Sequence, residues 1–159
     1  MDIRVRLARR DDLKLAHTWA NDPVNIRMNA KGGEVPLESF ARLFAELLHD
    51  KDTILLVIEG LWDSGWVPVA QVRLDTDGEM SILIDRGYRG RRLATPVILA
   101  SIEFARDMLP LNTVTAKIRL DNLASIKAFE RAGFEAARTL SCKGHACVEY
   151  AYRLPSEPE

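Results

Sequence analysis

Residues 86–96 read RGYRGRRLATP: four arginines and two glycines, set between an apolar strand-like run, MSILI (80–84), and an apolar helix-like run, VILASIEFA (97–105). A helix start exposes unpaired backbone N–H groups and a partial positive charge, so a strand leading through Gly90 into a helix makes a cradle for an anion. Glycine lets the backbone come close to the ligand, and Arg89, Arg91 and Arg92 add fixed charge suited to phosphate. The stretch is not G-x-x-x-x-G-K-[ST], and no G-x-G-x-x-G occurs, which argues against a P-loop and a dinucleotide fold. Read alone, it fits a solvated basic turn equally well.

Thirty residues on stands DNLASIKAFERAGF (121–134). Asp121 or Asn122 can cap a short helix, Leu123, Ile126 and Phe129 or Ala128 form its inner face, and Gly133 with Phe134 fits a left-handed C-terminal cap. Strand 78–84 alternates Met80, Ile82 and Ile84 against Glu79, Ser81 and Leu83, so Glu79 projects from the face opposite the apolar set. Cys142 and Cys147 flank Lys143-Gly144-His145-Ala146. Only His145 is nearby as a further ligand, so reduced cysteines on a hairpin are expected and no metal.

These groups need elements to hold them. Residues 2–7 alternate as a half-buried strand. A helix capped by Asp11 or Asp12 carries Leu13, Ala16 and Trp19 or Ala20, and NDP (21–23) ends it. A loop with Gly32 and Gly33 follows. Pro36 opens a second helix with Phe40, Leu43, Phe44, Leu47 and Leu48 on one face. Strands are expected at 53–59, 66–74 and 78–84, a helix at about 92–108, a strand at 113–120, a helix at 122–132, and closing strands near 134–141 and 147–153. Short turns between 53 and 84 suit antiparallel pairing, and the strand–helix–strand unit across 80–120 suits a parallel pair. The expectation is an α/β (α+β) fold: a mixed, mostly antiparallel sheet with helices on both faces.

A chain of 159 residues suits one domain, here 1–154 with a disordered tail at 155–159. Apolar residues make up 47% and charged residues 28%, and the net charge of −1 gives no general attraction to nucleic acid, so any positive site is local. The N-terminus lacks the apolar stretch of a signal peptide, and no apolar run nears the roughly 18 residues that suggest a membrane span. No nucleic-acid or membrane partner is expected, and the cytoplasm is the expected location.

Taken together, RGYRGRRLA (86–94) and NLASIKAFERAGF (122–134) resemble the pyrophosphate loop and the Asn-to-Gly-Phe segment of the GCN5-related N-acetyltransferase (GNAT) superfamily, and the order of elements agrees over about residues 2–153. The resemblance implies acetyl-CoA as co-substrate, in a cleft where the fourth and fifth strands splay apart. It places the pyrophosphate on the backbone of Arg89, Gly90, Arg91, Arg92, Leu93 and Ala94. It places the pantetheine arm along Leu83, Ile84 and Asp85, with Asn122 beside the thiol. Arg92 stands where the family usually has glycine, and Phe129 where many members have the tyrosine that protonates the departing thiolate. Ser125 is then the candidate thiol-side donor and Glu79, at a common position of the family's carboxylate, the candidate base.

The segment LAHTWANDPVNIRMNA (15–30), with VAQVRLD (69–75), resembles acetyltransferases of nucleotide-linked amino sugars. It implies a small-molecule amine whose diphosphate meets Arg27 and Arg73 and whose hydroxyls meet Asn21, Asp22 and Asn25. Alternatives are a protein N-terminus or an antibiotic amine as acceptor, and a non-catalytic acyl-CoA sensor. An edge near 134–153 offers a surface for a homodimer.

Overall fold

The computed structural model describes residues 1–28 and 34–155. The expected glycine loop at 32–33 and the last four residues of the tail lie outside this range.

Fourteen segments follow one another among the described residues. β1 (Ile3–Leu7) leads through a 3-10 turn (Arg10–Asp12) into α1 (Leu13–Ala20), α2 (Pro23–Met28) and α3 (Leu37–His49). Next come β2 (Thr53–Trp62), β3 (Gly65–Asp75) and β4 (Met80–Ile84), a second 3-10 turn (Arg86–Tyr88) and α4 (Ala94–Ala105). β5 (Thr113–Arg119), α5 (Leu123–Arg131), β6 (Glu135–Cys142) and β7 (His145–Arg153) close the chain.

The strands form a four-stranded sheet, β1-β2-β3-β4, and a three-stranded sheet, β5-β7-β6, with every neighbouring pair antiparallel. The expected parallel pair, β4 with β5, is reduced to one bridge between Glu79 and Thr115. Glycine fixes this junction. Gly78 has φ 86°, its carbonyl accepts from the Thr115 N–H at 2.8 Å, and a Cβ there would run into the Thr113 carbonyl. Beyond the bridge the two strands part.

Alternation gives the first sheet two unlike faces. Ile54, Leu56, Ile58, Val72, Leu74 and Met80 form one core with Val97, Ile98 and Ile102 of α4, and Val114, Ala116 and Ile118 of β5 join it. On the other face Leu55 packs with Ala16 of α1 and Phe44 of α3. Helices therefore lie on both faces, as expected.

Three expectations are corrected. The NDP turn is followed by helix α2, not by loop alone: Pro23 takes the first helical position, where a missing N–H is harmless, and Asp22 accepts from the Val24 N–H at 3.0 Å. Leu43 is exposed, so the inward face of α3 is narrower than its leucines suggest. α4 starts at Ala94 rather than 92, because Arg92 has φ 56° and stands outside the right-handed helix. The cysteine hairpin forms as expected, with Lys143 (φ 46°) and Gly144 (φ 82°) turning it and both cysteines free. Burial, then the neighbouring Cys142, raises the Cys147 thiol to about 11, which keeps it protonated. Among the described residues no helix is long and apolar enough to cross a membrane, and no cluster of metal-ligating side chains occurs.

Candidate active site at the strand split

Among the described residues the split leaves the edge of β4 beyond Glu79 without a strand partner, although Leu83 and Ile84 still pair with Gln71 and Ala70 of β3 on its other side. Unpaired strand edges present N–H and C=O groups to whatever enters the gap. At the far end of β4 the chain turns into the arginine loop, and α4 begins.

Asp85 shapes that turn. Its Oδ1 accepts from the Gly87 N–H at 2.8 Å, its Oδ2 accepts from Trp19 Nε1 at 2.8 Å, and its own N–H donates to the Val69 carbonyl at 2.9 Å. The expected bond from Asp85 to a pantetheine arm is therefore revised: its N–H and both carboxylate oxygens already have partners, and it fixes the loop instead. Trp19, only 3% exposed, is core as well as tether, because a buried indole N–H needs an acceptor.

The four arginines have different work. Arg89 reaches Asp22 at 2.8 Å. Arg91 lies over the rings of Trp62 and Tyr88, 5.8 and 5.9 Å from their centroids. Arg86 and Arg92 have no acidic partner among the described residues. Gly90 has φ 75°, and a side chain added there would meet nothing within 4 Å, so open space faces that backbone. Arg92 shows why glycine is usual at its place: φ 56° is the left-handed region that side chains avoid at a cost of ~1–2 kcal/mol. Leu93 is buried in the core, and Ala94 opens α4 with its first N–H groups free.

Across the split, Asn122 caps α5, its Oδ1 accepting from the Ser125 N–H at 3.3 Å. The Ser125 hydroxyl has no protein partner among the described residues. Phe129 is buried edge-on against Phe134, with ring centroids 4.9 Å apart, and offers no proton. Glu79 sits at the apex where the strands part, its side chain 47% exposed and 3.6 Å from Lys117 Nζ.

The expected acceptor residues divide. Asn21 clamps Val35, donating to its carbonyl at 2.9 Å and accepting from its N–H at 2.8 Å. Asn25 donates to the Trp19 carbonyl at 2.7 Å. Asp22 serves Arg89, and its side chain is only 9% exposed. Burial pushes the Asp22 carboxyl up, but the Arg89 and backbone hydrogen bonds outweigh it and hold the group below its ordinary value. These three therefore build the site rather than reach into it. Arg27 is exposed, and Arg73 is half-buried with no partner among the described residues.

Two positioning groups escaped the sequence reading. Arg119 donates to the Arg27 carbonyl and is itself held by both oxygens of Asp121, at 3.0 and 2.8 Å. Helix α2 is thus tied at one end to the arginine loop, through Asp22, and at the other to the end of β5. Only the R-x-D spacing of Arg119 and Asp121 hinted at the second tie.

Comparison with known proteins gives the chain a family and a fold. The family model described as acetyltransferase (GNAT) domain matches residues 2–135. A search of curated proteins finds no significant match. Among solved structures the chain is similar to aminoglycoside acetyltransferase AAC(6')-Ib in complex with ribostamycin and coenzyme A (16% identity, 96% of this chain and 94% of that one, TM-score 0.80). It is also similar to spermidine N-acetyltransferase from Vibrio cholerae with CoA and spermine (16% identity, 95% of each chain, TM-score 0.83). A domain from Methanocaldococcus jannaschii gives 18% identity, 96% and 99% coverage, and a TM-score of 0.81.

Proposed function

The chain belongs to the GNAT family of acetyl-CoA-dependent N-acetyltransferases, and on that premise we propose that it acetylates the primary amine of a small molecule by direct attack at the split between β4 and β5. The single observation that supports this most is the split itself, one bridge at Glu79 and Thr115 followed by an open β4 edge that ends in the Gly90 turn.

The residues fit acetyl-CoA. The backbone from Arg89 to Ala94, with the start of α4, would hold the pyrophosphate, and unpartnered Arg86 and Arg92 add charge beside it. Leu83 and Ile84 offer strand edge to the pantetheine arm, and Asn122 lies on the opposite side of the split. Acetyl-CoA supplies an activated thioester carbonyl. The amine nitrogen bonds to that carbon, the C–S bond breaks, the amine gives up one proton and the sulfur gains one. Glu79 takes the amine proton, directly or through water, and the Ser125 hydroxyl, at the positive end of α5, gives a proton to sulfur. The CoA-bound neighbours carry ribostamycin or spermine, which supports an amine acceptor here.

The finer reading is a nucleotide-linked amino sugar. Arg73 and Arg27 support it as cations without acidic partners among the described residues. Because Asn21, Asp22 and Asn25 are engaged internally, sugar hydroxyls would have to find other partners.

The test is release of free thiol from acetyl-CoA with a panel of amines. Glu79→Gln is expected to lower kcat about 10²–10⁴-fold at neutral pH. Full rate at every pH overturns the base assignment. Unchanged kcat in Ser125→Ala removes Ser125 from the proton path.

A further inference from the structure

The face of the first sheet that carries α1 and α3 is ordered in rows, fixed by the register. Arg6, Val57, Gln71 and Leu83 form one row, and Leu55, Arg73 and Ser81 the next. α1 and α3 pack at the β2 end of these rows, on Leu55. Their β3–β4 ends, Gln71, Arg73, Ser81 and Leu83, are only partly covered or exposed, and lie beside the open β4 edge.

Gln71 and Arg73 have no side-chain partner among the described residues. The Gln71 Oε1 is shielded from solvent and accepts no hydrogen bond. Arg73, two residues along the same strand, is half-buried and faces no carboxylate among the described residues. Around this face Asp12 pairs with Arg6 and Glu59 with Arg4, each at 2.8 Å, Asp22 pairs with Arg89 and Glu79 with Lys117, while Asp75, two residues beyond Arg73, accepts from the Asp77 and Glu79 N–H groups. The open end of this face therefore presents a cation without an acidic partner among the described residues, and the carboxylates around it are held in ion pairs or by backbone N–H groups.

A polycationic acceptor needs carboxylates, and here would meet Arg73 instead; like charges set together are disfavoured. We propose that Arg73, with Gln71 beside it, forms the acceptor subsite that sets specificity, and that the substrate is an amine carrying an anionic group, with the anion on Arg73. This rests on the acetyltransferase reading and narrows it. The anion is a carboxylate or a phosphate, the shared chemistry being a negative oxygen pair matched to a guanidinium.

Steady-state kinetics with acetyl-CoA test it on four acceptors: glutamate, a nucleoside-diphosphate amino sugar, spermidine and kanamycin. The wild type is expected to use one of the two anionic amines, and which one identifies the anion. Arg73→Ala is expected to raise the KM of that acceptor about 10–100-fold while kcat changes less than about threefold, and Arg73→Lys to recover part of the loss. A thermal midpoint near that of the wild type shows that the variants fold. Preference for spermidine or kanamycin, unchanged in Arg73→Ala, overturns the subsite and leaves the enzyme reading standing. Tight acetyl-CoA binding with no thiol release on any of the four overturns both.

Discussion

The two faces of the four-stranded sheet are built from the same strands and do opposite things. On the α4 side, Leu56, Ile58, Val72 and Leu74 are fully buried and carry no polar atom. On the α1–α3 side, every second residue of the same strands includes Arg4, Arg6, Glu59, Gln71 and Arg73. Near β1 and β2 these are closed into ion pairs, and toward β3 and β4 they are left open. A two-residue period thus separates a wholly apolar face from a mixed one, whose open end is the proposed place of the substrate.

The largest effect should come from the closed face. Leu56→Ala removes a side chain with no solvent exposure and should cost ~2–5 kcal/mol in urea unfolding, with little change in the KM of either substrate at temperatures where it stays folded. An equal loss from Val57→Ala, one residue along and on the mixed face, would weaken the distinction less than a shift in KM from Leu56→Ala.

Next is the paired part of the open face. Asp12 accepts from both terminal nitrogens of Arg6 at 2.8 Å and from the Arg9 N–H at 2.7 Å. Burial raises its carboxyl, but these bonds outweigh burial and hold it below the ordinary value. A lowered folded value means that the stabilisation is complete above the unfolded value of about 4 and is lost as pH falls from there through the lower, folded one. Asp12→Asn should cost ~1–3 kcal/mol at pH 7 and flatten the acid limb of stability against pH. An acid limb as steep as the wild type's would show that other carboxylates dominate it.

The smallest effect should have the opposite sign. Gln71→Leu replaces an unsatisfied acceptor with a methyl group of similar size and should stabilise by up to ~1 kcal/mol, seen as a higher urea midpoint, while raising the acceptor KM. Destabilisation would show that Gln71 belongs to the structure rather than to the substrate.

Much of this was readable in the chain because its cause is local. Gly90, Asn122 and Gly133 mark turns and caps by their own backbone chemistry, and alternation around Met80 set Glu79 on the correct face. What failed was long-range. Nothing near Asp85 in sequence announces Trp19, 66 residues away, and nothing near Asp22 announces Arg89. Both carboxylates looked available because their partners come from other elements. α2 was missed because Pro23 ends one helix and starts another with the same ring. Arg92 was placed in the helix because the left-handed turn there is normally advertised by glycine.

The junction at Gly78 and Thr115 has a mechanical consequence. From β1 to β4 the backbone is laced by continuous ladders; from β5 to β6 it is laced again; between them one stitch remains. The apolar core does not share this seam, since residues of both sheets meet α4 beneath it. A load applied across the strands would therefore part the molecule first along β4 and β5, with α4 acting as the spine that keeps the two halves in register.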